Sequence, residues 1–370
     1  MPPRATLVVD ARKAFDAGIG TYIRQVVPRV AAKVDARVVM VVRGSDVGQQ
    51  DWFDRARTRL VEVGAVPLGL AEQFEFARAI GTADCFWATS LAHPLWGRVP
   101  LAATVHDVAQ LALPRAEMGG APWLRPAARI YLGSLRRRAR ALFAVSSFTA
   151  AEFRHMVGRP ARGPCIVTPL GVDSSWRAPV SAEPVEPFVL CLGSVRPHKN
   201  IERLLQAFAR AAPGLPHKLR IVGRVPGDGA HRRWHAALPD SARPRVVFEG
   251  VVDDARLRAL MARATALVMP SLYEGFGLPV LEAMAAGCPV VASRAGALPE
   301  VCGGAAAATF DPRDVADMAR AIQAAVSLDP AERQRIVELG RAHAARFTWD
   351  ATAERTAQVL RAVLERGSGD

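Results

Sequence analysis

One pattern recurs along the sequence and narrows the folds open to it: a short apolar run, a loop carrying glycine, then the start of an amphipathic helix. It appears at residues 5–10 (ATLVVD) before Gly18-Ile19-Gly20, and at residues 188–192 (FVLCL) before Gly193-Ser194-Val195-Arg196-Pro197-His198-Lys199-Asn200. It appears again at residues 264–269 before a loop with Gly275 and Gly277. Apolar runs of four to eight residues that alternate with helical spacing predict buried parallel strands joined by helices, an α/β class. At 370 residues the chain exceeds what one hydrophobic core serves, so two domains are expected. Residues 174–187 (SSWRAPVSAEPVEP) are rich in Pro, Ser and Ala and lack periodicity, which predicts a linker. It divides a doubly wound domain at residues 1–175 from a second at residues 188–346.

In the first half, further strands are expected at residues 36–42, 60–63, 85–89 and 100–105, with the turn-rich residues 44–59 between two of them. Another helix is expected to begin in residues 68–74. Gly18 and Gly20 suggest a dinucleotide fingerprint whose third glycine is replaced by Ile23, so a nicotinamide site is poorly supported. A tight turn that lets backbone approach a phosphate fits equally well. Residues 100–105 (PLAATV) end directly in His106-Asp107, and ligands of parallel sheets lie beyond the carboxyl ends of strands. Residues 125–142 (RPAARIYLGSLRRRARAL) have apolar residues at helical spacing and six arginines on the remainder. Such a helix reads either as a solvated face or as one lying on an anionic membrane. Strands at 141–146 and 166–170 complete this half.

The second half turns on residues 270–292, PSLYEGFGLPVLEAMAAGCPVVA. A strand ends before it and another closes it. Pro279 suits the start of a helix and Gly287 its end. The free amides of that helix start would favour phosphate or hydroxyl oxygens, and Glu274 and Glu282 bracket the place. Either glutamate alone reads more readily as an ordinary solvated carboxylate; it is the whole string that shifts the balance. Arg196 and Lys199 follow the 188–192 strand, where they could clamp a diphosphate or simply be surface charges. Strands at 218–222 and 246–248 lead into Gly223-Arg224 and Glu249-Gly250-Val251-Val252. A helix capped by Asp254, another within residues 293–301, and a final helix at 347–366 complete the reading.

The string Glu274-Gly275-Phe276-Gly277-Leu278-Pro279, with Glu282 eight residues after the first glutamate, closely resembles the signature of retaining family 4 glycosyltransferases. The resemblance runs from Asp10-Ala11-Arg12 to Phe347-Thr348-Trp349. It implies the GT-B arrangement, with two Rossmann-like domains facing across a cleft and the terminal helix returning to the first. It also implies that Gly18 and Gly20 lie near the donor diphosphate, that His106 contacts the donor sugar, and that Asp107 holds local structure. The loops at Gly223, Arg224 and Val251 would flank the nucleotide base. Glu274 with Gly275, Phe276, Gly277 and Leu278 would orient sugar hydroxyls, and Glu282 would accept from the ribose. Family members usually carry Arg immediately before Lys199 and often another after the glycine. This chain has His198 and Ser194 there, so Lys199 transfers most directly, and either the displaced Arg196 or His198 stands in for the usual arginine. Residues 68–74 and the general pattern look most like bacterial mannosyltransferases of surface-polysaccharide assembly.

Breaking a sugar–phosphate bond puts negative charge on the leaving diphosphate, which Lys199, Arg196 and the 275–278 amides could stabilise. No Asp-x-Asp or His/Asp cluster suited to Mg²⁺ is present, so neither metal nor cofactor is expected. The partners expected are a nucleotide sugar donor and a glycan or lipid-linked acceptor. Net charge is +13, and residues 1–175 carry 23 Lys and Arg against 14 Asp and Glu. Attraction to anionic surfaces and genomic arginine bias both account for that excess. Dispersed arginines and three tyrosines argue against nucleic acid. Five scattered cysteines, an opening apolar run too short for a secretory signal, and no run of about 18 apolar residues predict a cytoplasmic protein, peripheral to the membrane at most. A sugar-nucleotide epimerase on the same architecture and a non-catalytic nucleotide- or nucleic-acid-binding module are the competing readings.

Overall fold

The computed structural model describes residues 5–46, 52–54, 58–65, 68–178, 186–225 and 229–367. The first four residues, part of the turn-rich 44–59 segment and the linker residues 179–185 lie outside these. The chain forms two compact units: Met1–Ala112, Ala121–Gly171 and Thr348–Asp370 make the first, Leu113–Gly120 and Val172–Phe347 the second.

The first unit is built on a sheet of β1 (Thr6–Asp10), β2 (Arg37–Val42), β3 (Thr58–Glu62), β4 (Cys85–Ala88), β5 (Leu101–Val105), β6 (Ala139–Ala144) and β7 (Cys165–Val167). Their order is β3-β2-β1-β4-β5-β6-β7, with every pairing parallel. The second unit has β8 (Phe188–Leu192), β9 (Lys218–Val222), β10 (Val246–Gly250), β11 (Ala266–Met269), β12 (Val290–Ser293) and β13 (Ala308–Phe310). These run β10-β9-β8-β11-β12-β13, again all parallel. Strands such as β4, β5, β8, β11 and β12 are buried along their whole length, as helices on both sheet faces require. Each sheet reverses its winding once, between β1 and β4 and between β8 and β11. The loops leaving those strands therefore frame a crevice in each unit.

Helix packing follows the apolar spacing. The helix Ile201–Ala211 buries Ile201, Leu204, Leu205 and Phe208 on one stripe. The terminal helix Trp349–Gly367 packs against Ile19–Ala31 within the first unit. Thr352 Oγ1 donates to the Pro169 carbonyl at 2.5 Å, and Lys33 and Arg29 pair with Glu354 and Asp350.

Several boundaries differ from those read in the sequence. The arginine-rich helix spans Leu124–Arg138 and does not continue to residue 142. Its backbone turns extended at Ala139, because the next residues become β6 beside β5. Asp253, not Asp254, caps the following helix, accepting from the Arg256 amide at 2.7 Å. Pro279 is the second residue of Leu278–Ala286, not the first. Of the expected 293–301 helix only Leu298–Cys302 forms, since Ser293 belongs to β12. Leu113–Gly120, read in the sequence with the first half, gathers with the second unit. There Glu117 grips Arg313 through both oxygens, and Gly119 lies against Pro197.

Candidate active site

In the second unit, the loops after β8 and β11 meet at the winding reversal. Leaving β8, the chain passes Gly193 at φ +145°, a backbone angle that favours glycine, with the Lys199 side chain beside it. It then makes a tight turn, Pro197–Lys199, that ends in Asn200 with a left-handed φ of 59°. Asn200 holds this strained conformation by donating through Nδ2 to the carbonyls of Pro270 (3.0 Å) and Pro312 (2.7 Å). The Leu272 amide donates to the His198 carbonyl at 2.8 Å, which stitches the two loops together.

Lys199 Nζ is thereby placed 2.6 Å from Glu274 Oε1, and Ser271 Oγ donates to the same oxygen at 2.6 Å. The backbone of Glu274 is also fixed. Its carbonyl accepts from the Ala297 amide at 2.8 Å, and Gly296, at φ +62°, has no room for a Cβ beside it. Burial works against the Glu274 charge, but the Lys199 ammonium, the Ser271 hydroxyl and His198 outweigh it. The carboxyl is therefore held below its usual range. The pair is partly exposed, Lys199 by 21% and Glu274 by 14% of their side chains, so solvent and ligand can still reach it.

Just beyond Glu274, Gly277 takes φ +96° as the N-cap of Leu278–Ala286. Phe276 and Leu278 are buried, the Phe276 ring meeting Phe347 edge-on at 6.2 Å. Glu282 lies in the second turn and is half-buried. Its side chain makes no hydrogen bond or ion pair among the described residues. Burial first, and then the nearby Asp254 charge, push its carboxyl up to about 8. A half-buried carboxyl without a protein partner remains open to ligand hydroxyls.

The neighbouring loops interlock backbone to backbone. Gly223, at φ +146°, sits so close to Gly193 that a Cβ would strike its carbonyl, and the Val195 amide donates to the Arg224 carbonyl at 2.9 Å. The Arg196, Arg224 and Val251 side chains are exposed. Glu249 pairs with Arg220 at 3.1 Å. The His198 carbonyl joins the two loops, whereas Arg196 lies open at the rim.

The first unit carries the other candidates. His106 follows β5, and its Nε2–H donates to the Thr89 carbonyl at 2.9 Å while its ring meets Tyr22 edge-on at 5.0 Å. Burial and the charge of Lys13 lower it to about 4 against the Thr89 bond, so it is neutral with Nδ1 as the acceptor. Asp107 caps the next turn through the Ala109 amide at 3.0 Å. Gly18 starts the helix Ile19–Ala31 at φ +69°. Gly20 is required for packing, because a Cβ would lie 2.6 Å from the Ala14 carbonyl.

Sequence reasoning missed an ion cluster at the end of β1. Arg12 bonds Asp10 through two nitrogens at 2.7 and 2.8 Å and Glu72 at 2.7 Å, and it stacks over Phe76. All three charged groups are buried. Burial opposes the Arg12 charge, yet the two carboxylates raise its pKa overall. An Asp-x-Arg after a strand was the available signal, and its partner 60 residues on was not. Ser271 and Asn200 were also missed, although a Ser three residues before a Glu and an Asn opening a helix are capping types.

Residues 186–327 match the family model described as glycosyl transferases group 1, and residues 17–176 match that described as Glycosyltransferase Family 4. The MMP alpha-(1->4)-mannosyltransferase of Mycolicibacterium hassiacum is 34% identical over 279 residues, covering 72% of this chain and 66% of that protein. The O-antigen chain mannosyltransferase B of Escherichia coli is 33% identical over 227 residues, covering 57% of this chain and 58% of that protein. Among solved structures, sucrose-phosphate synthase from Thermosynechococcus elongatus superposes with a TM-score of 0.80 at 24% identity, over 98% of this chain and 100% of that one. WaaG, a glycosyltransferase involved in lipopolysaccharide biosynthesis, gives 0.72 at 18% identity, over 95% and 99%.

Proposed function

The chain belongs to the family 4, group 1 glycosyltransferases, and from that premise we propose that it moves a sugar from a nucleotide diphosphate donor to an acceptor hydroxyl with retained anomeric configuration. Mannose is the sugar favoured, since the relatives from Mycolicibacterium and Escherichia coli are named mannosyltransferases. The acceptor is a glycan or a lipid-linked glycan of surface-polysaccharide or glycoconjugate assembly, and the reaction runs in the cytoplasm without metal or cofactor.

The observation that carries this reading is the Lys199–Glu274 pair at the β8/β11 winding reversal, beside the N-terminus of Leu278–Ala286. As the bond from the anomeric carbon to the β-phosphate oxygen breaks, negative charge gathers on that oxygen. The Lys199 ammonium and the helix start stabilise it in place of a metal ion. Glu274, fixed by Ser271 and Lys199, accepts from sugar hydroxyls, and Glu282 takes the ribose. The acceptor oxygen bonds to the anomeric carbon on the face being vacated, and its proton passes to the departing phosphate oxygen. In the first unit, neutral His106 offers Nδ1 as a hydrogen-bond acceptor at the end of β5.

The test is turnover on a panel of sugar nucleotides with and without oligosaccharide acceptors, in chelator, with the product anomer assigned by NMR. Acceptor-dependent release of nucleoside diphosphate and an α-linked product from an α-linked donor are expected. Donor conversion to a different sugar without acceptor would favour an epimerase instead.

A further inference from the structure

The turn Pro197–Lys199 ends in Asn200, whose side-chain amide is held at both of its polar atoms. Nδ2 donates to the Pro270 and Pro312 carbonyls, and Oδ1 accepts from Arg203 Nη1 at 3.0 Å. Pro312 belongs to a loop that is itself tied down. The Asp311 amide donates to Asp317 Oδ2 at 2.8 Å, and the Arg313 amide donates to Asp311 Oδ1 at 2.8 Å. Asp314 then caps the helix Val315–Val326 through the Ala316 and Asp317 amides. The loop thus carries Arg313 directly after the carbonyl that Asn200 uses.

The segment Leu113–Gly120, which gathers with this unit, closes on the same place. Pro114 opens a single helical turn, Arg115–Met118, and Gly119 follows it at φ +69°. Glu117 on that turn takes both Arg313 nitrogens, Oε1 accepting from Nη1 at 2.5 Å and Oε2 from Nη2 at 2.8 Å. Gly119 lies against the Pro197 ring, where a Cβ would stand only 3.3 Å from Cγ. The hydrogen bonds and charge of Arg313, with the charge of Arg203, outweigh burial and hold the Glu117 carboxyl below its usual range. Both arginines lead to Asn200, Arg203 by its own bond and Arg313 through the adjoining Pro312 carbonyl. An isolated exposed ion pair contributes little. This one is a two-pronged fork that fixes direction as well as distance, and it joins residues 196 positions apart.

We propose that Glu117 is a positioning residue for the transfer: with Gly119 seated on Pro197, its grip on Arg313 keeps the turn Pro197–Lys199 in the form that aims Lys199 at the departing diphosphate. Glu117 touches no reacting atom. It acts through the turn, where a displacement of about 1 Å at the Lys199 ammonium would cost up to about a hundredfold in rate. The kinetic half rests on the transferase reading above; the placement of the turn does not.

The experiment compares the full chain with Glu117→Gln and Arg313→Gln, and makes each substitution again in a Lys199→Ala background. Hydrogen exchange of the substrate-free protein reads the turn through the Lys199, Asn200 and Leu272 amides, which donate to the Arg196, Pro197 and His198 carbonyls. Both single substitutions are expected to speed exchange there roughly threefold or more, with β8 and β11 unchanged. The single-turnover rate at saturating donor is expected to fall roughly three- to tenfold, with donor KM within about twofold of wild type. In the Lys199→Ala background the same substitutions are expected to slow transfer no further, because they act through that lysine. Unchanged exchange at the turn, an undiminished rate, or an equal loss of rate with and without Lys199 would each overturn the proposal. So would loss of protection throughout the second unit, the mark of a pair that merely holds the fold. Exchange needs no turnover, so a wild-type chain that transfers no sugar would sink the transferase reading while exchange still decides the placement of the turn.

Discussion

Two carboxyls eight residues apart carry opposite perturbations, and that difference sets the chemistry expected of each. Glu274 is held below its usual range beside Lys199, so it accepts hydrogen bonds at any working pH. Glu282 is pushed to about 8 and keeps its proton near neutrality when no ligand is bound. A ribose diol that donates to Glu282 favours its carboxylate, so binding should release a proton below pH 8. Donor affinity is therefore expected to climb toward pH 8, by no more than about tenfold per pH unit, and then level off. Calorimetry in buffers of different ionisation enthalpy checks this, and a Glu282→Gln variant should lose the slope. The sign for folding is opposite. The folded chain keeps a proton that the unfolded chain loses between about pH 4.5 and 8, so this group's contribution to stability falls as pH rises through that window. Glu282→Ala should weaken donor binding by about 1–3 kcal/mol, the cost of a lost charged hydrogen-bond partner. His106, lowered to about 4, should give no inflection near pH 6.5 in the kcat profile. None of this was legible in the residue string. The glutamate positions were, but their ionisation depends on burial, on Asp254 and on a lysine 75 residues away.

Elements were legible where burial was complete. Strands β1, β2, β8 and β11 fall close to the apolar runs that announce them, because a parallel strand covered on both faces must be apolar throughout. Legibility failed where one pattern ran into another. Residues 125–142 keep helical spacing across the point where Arg138 ends a helix and Ala139 begins β6. The three-residue β13 announces itself with nothing stronger than Ala308-Thr309-Phe310. The interlocked glycine loops were visible only as glycines, not as mutual contacts. Gly223→Ala must place a Cβ against the Gly193 carbonyl at a backbone angle that alanine resists. It is expected to cost roughly 1–3 kcal/mol and to weaken nucleotide binding as well, checked by denaturant unfolding and nucleotide titration. Glu72→Ala, which leaves buried Arg12 with Asp10 alone, is expected to destabilise the first unit by about 3–5 kcal/mol. Unfolding monitored by tryptophan fluorescence would report it through Trp87, buried in β4.

For the molecule as a whole, the two units give each region a separate readout. The terminal helix Trp349–Gly367 buries Ala353, Ala357, Leu360 and Leu364 within the first unit. Ending the chain at Phe347 should therefore expose the apolar face of Ile19–Ala31 and unfold the first unit, while the second stays folded. Hydrogen exchange of the shortened chain distinguishes these outcomes. The exposed Leu70 and Phe74 were not foreseen, since helical spacing assigns apolar residues to a core by default. Central to the molecule is the lysine–glutamate pair where β8 and β11 diverge. The most direct measurement is single-turnover transfer from a nucleotide diphosphate mannose to an acceptor, by wild type, Lys199→Ala and Glu274→Gln at saturating donor. Both variants are expected to bind nucleotide yet transfer at least roughly tenfold more slowly, with Lys199→Ala the slower. Transfer at the wild-type rate by either variant would contradict the account.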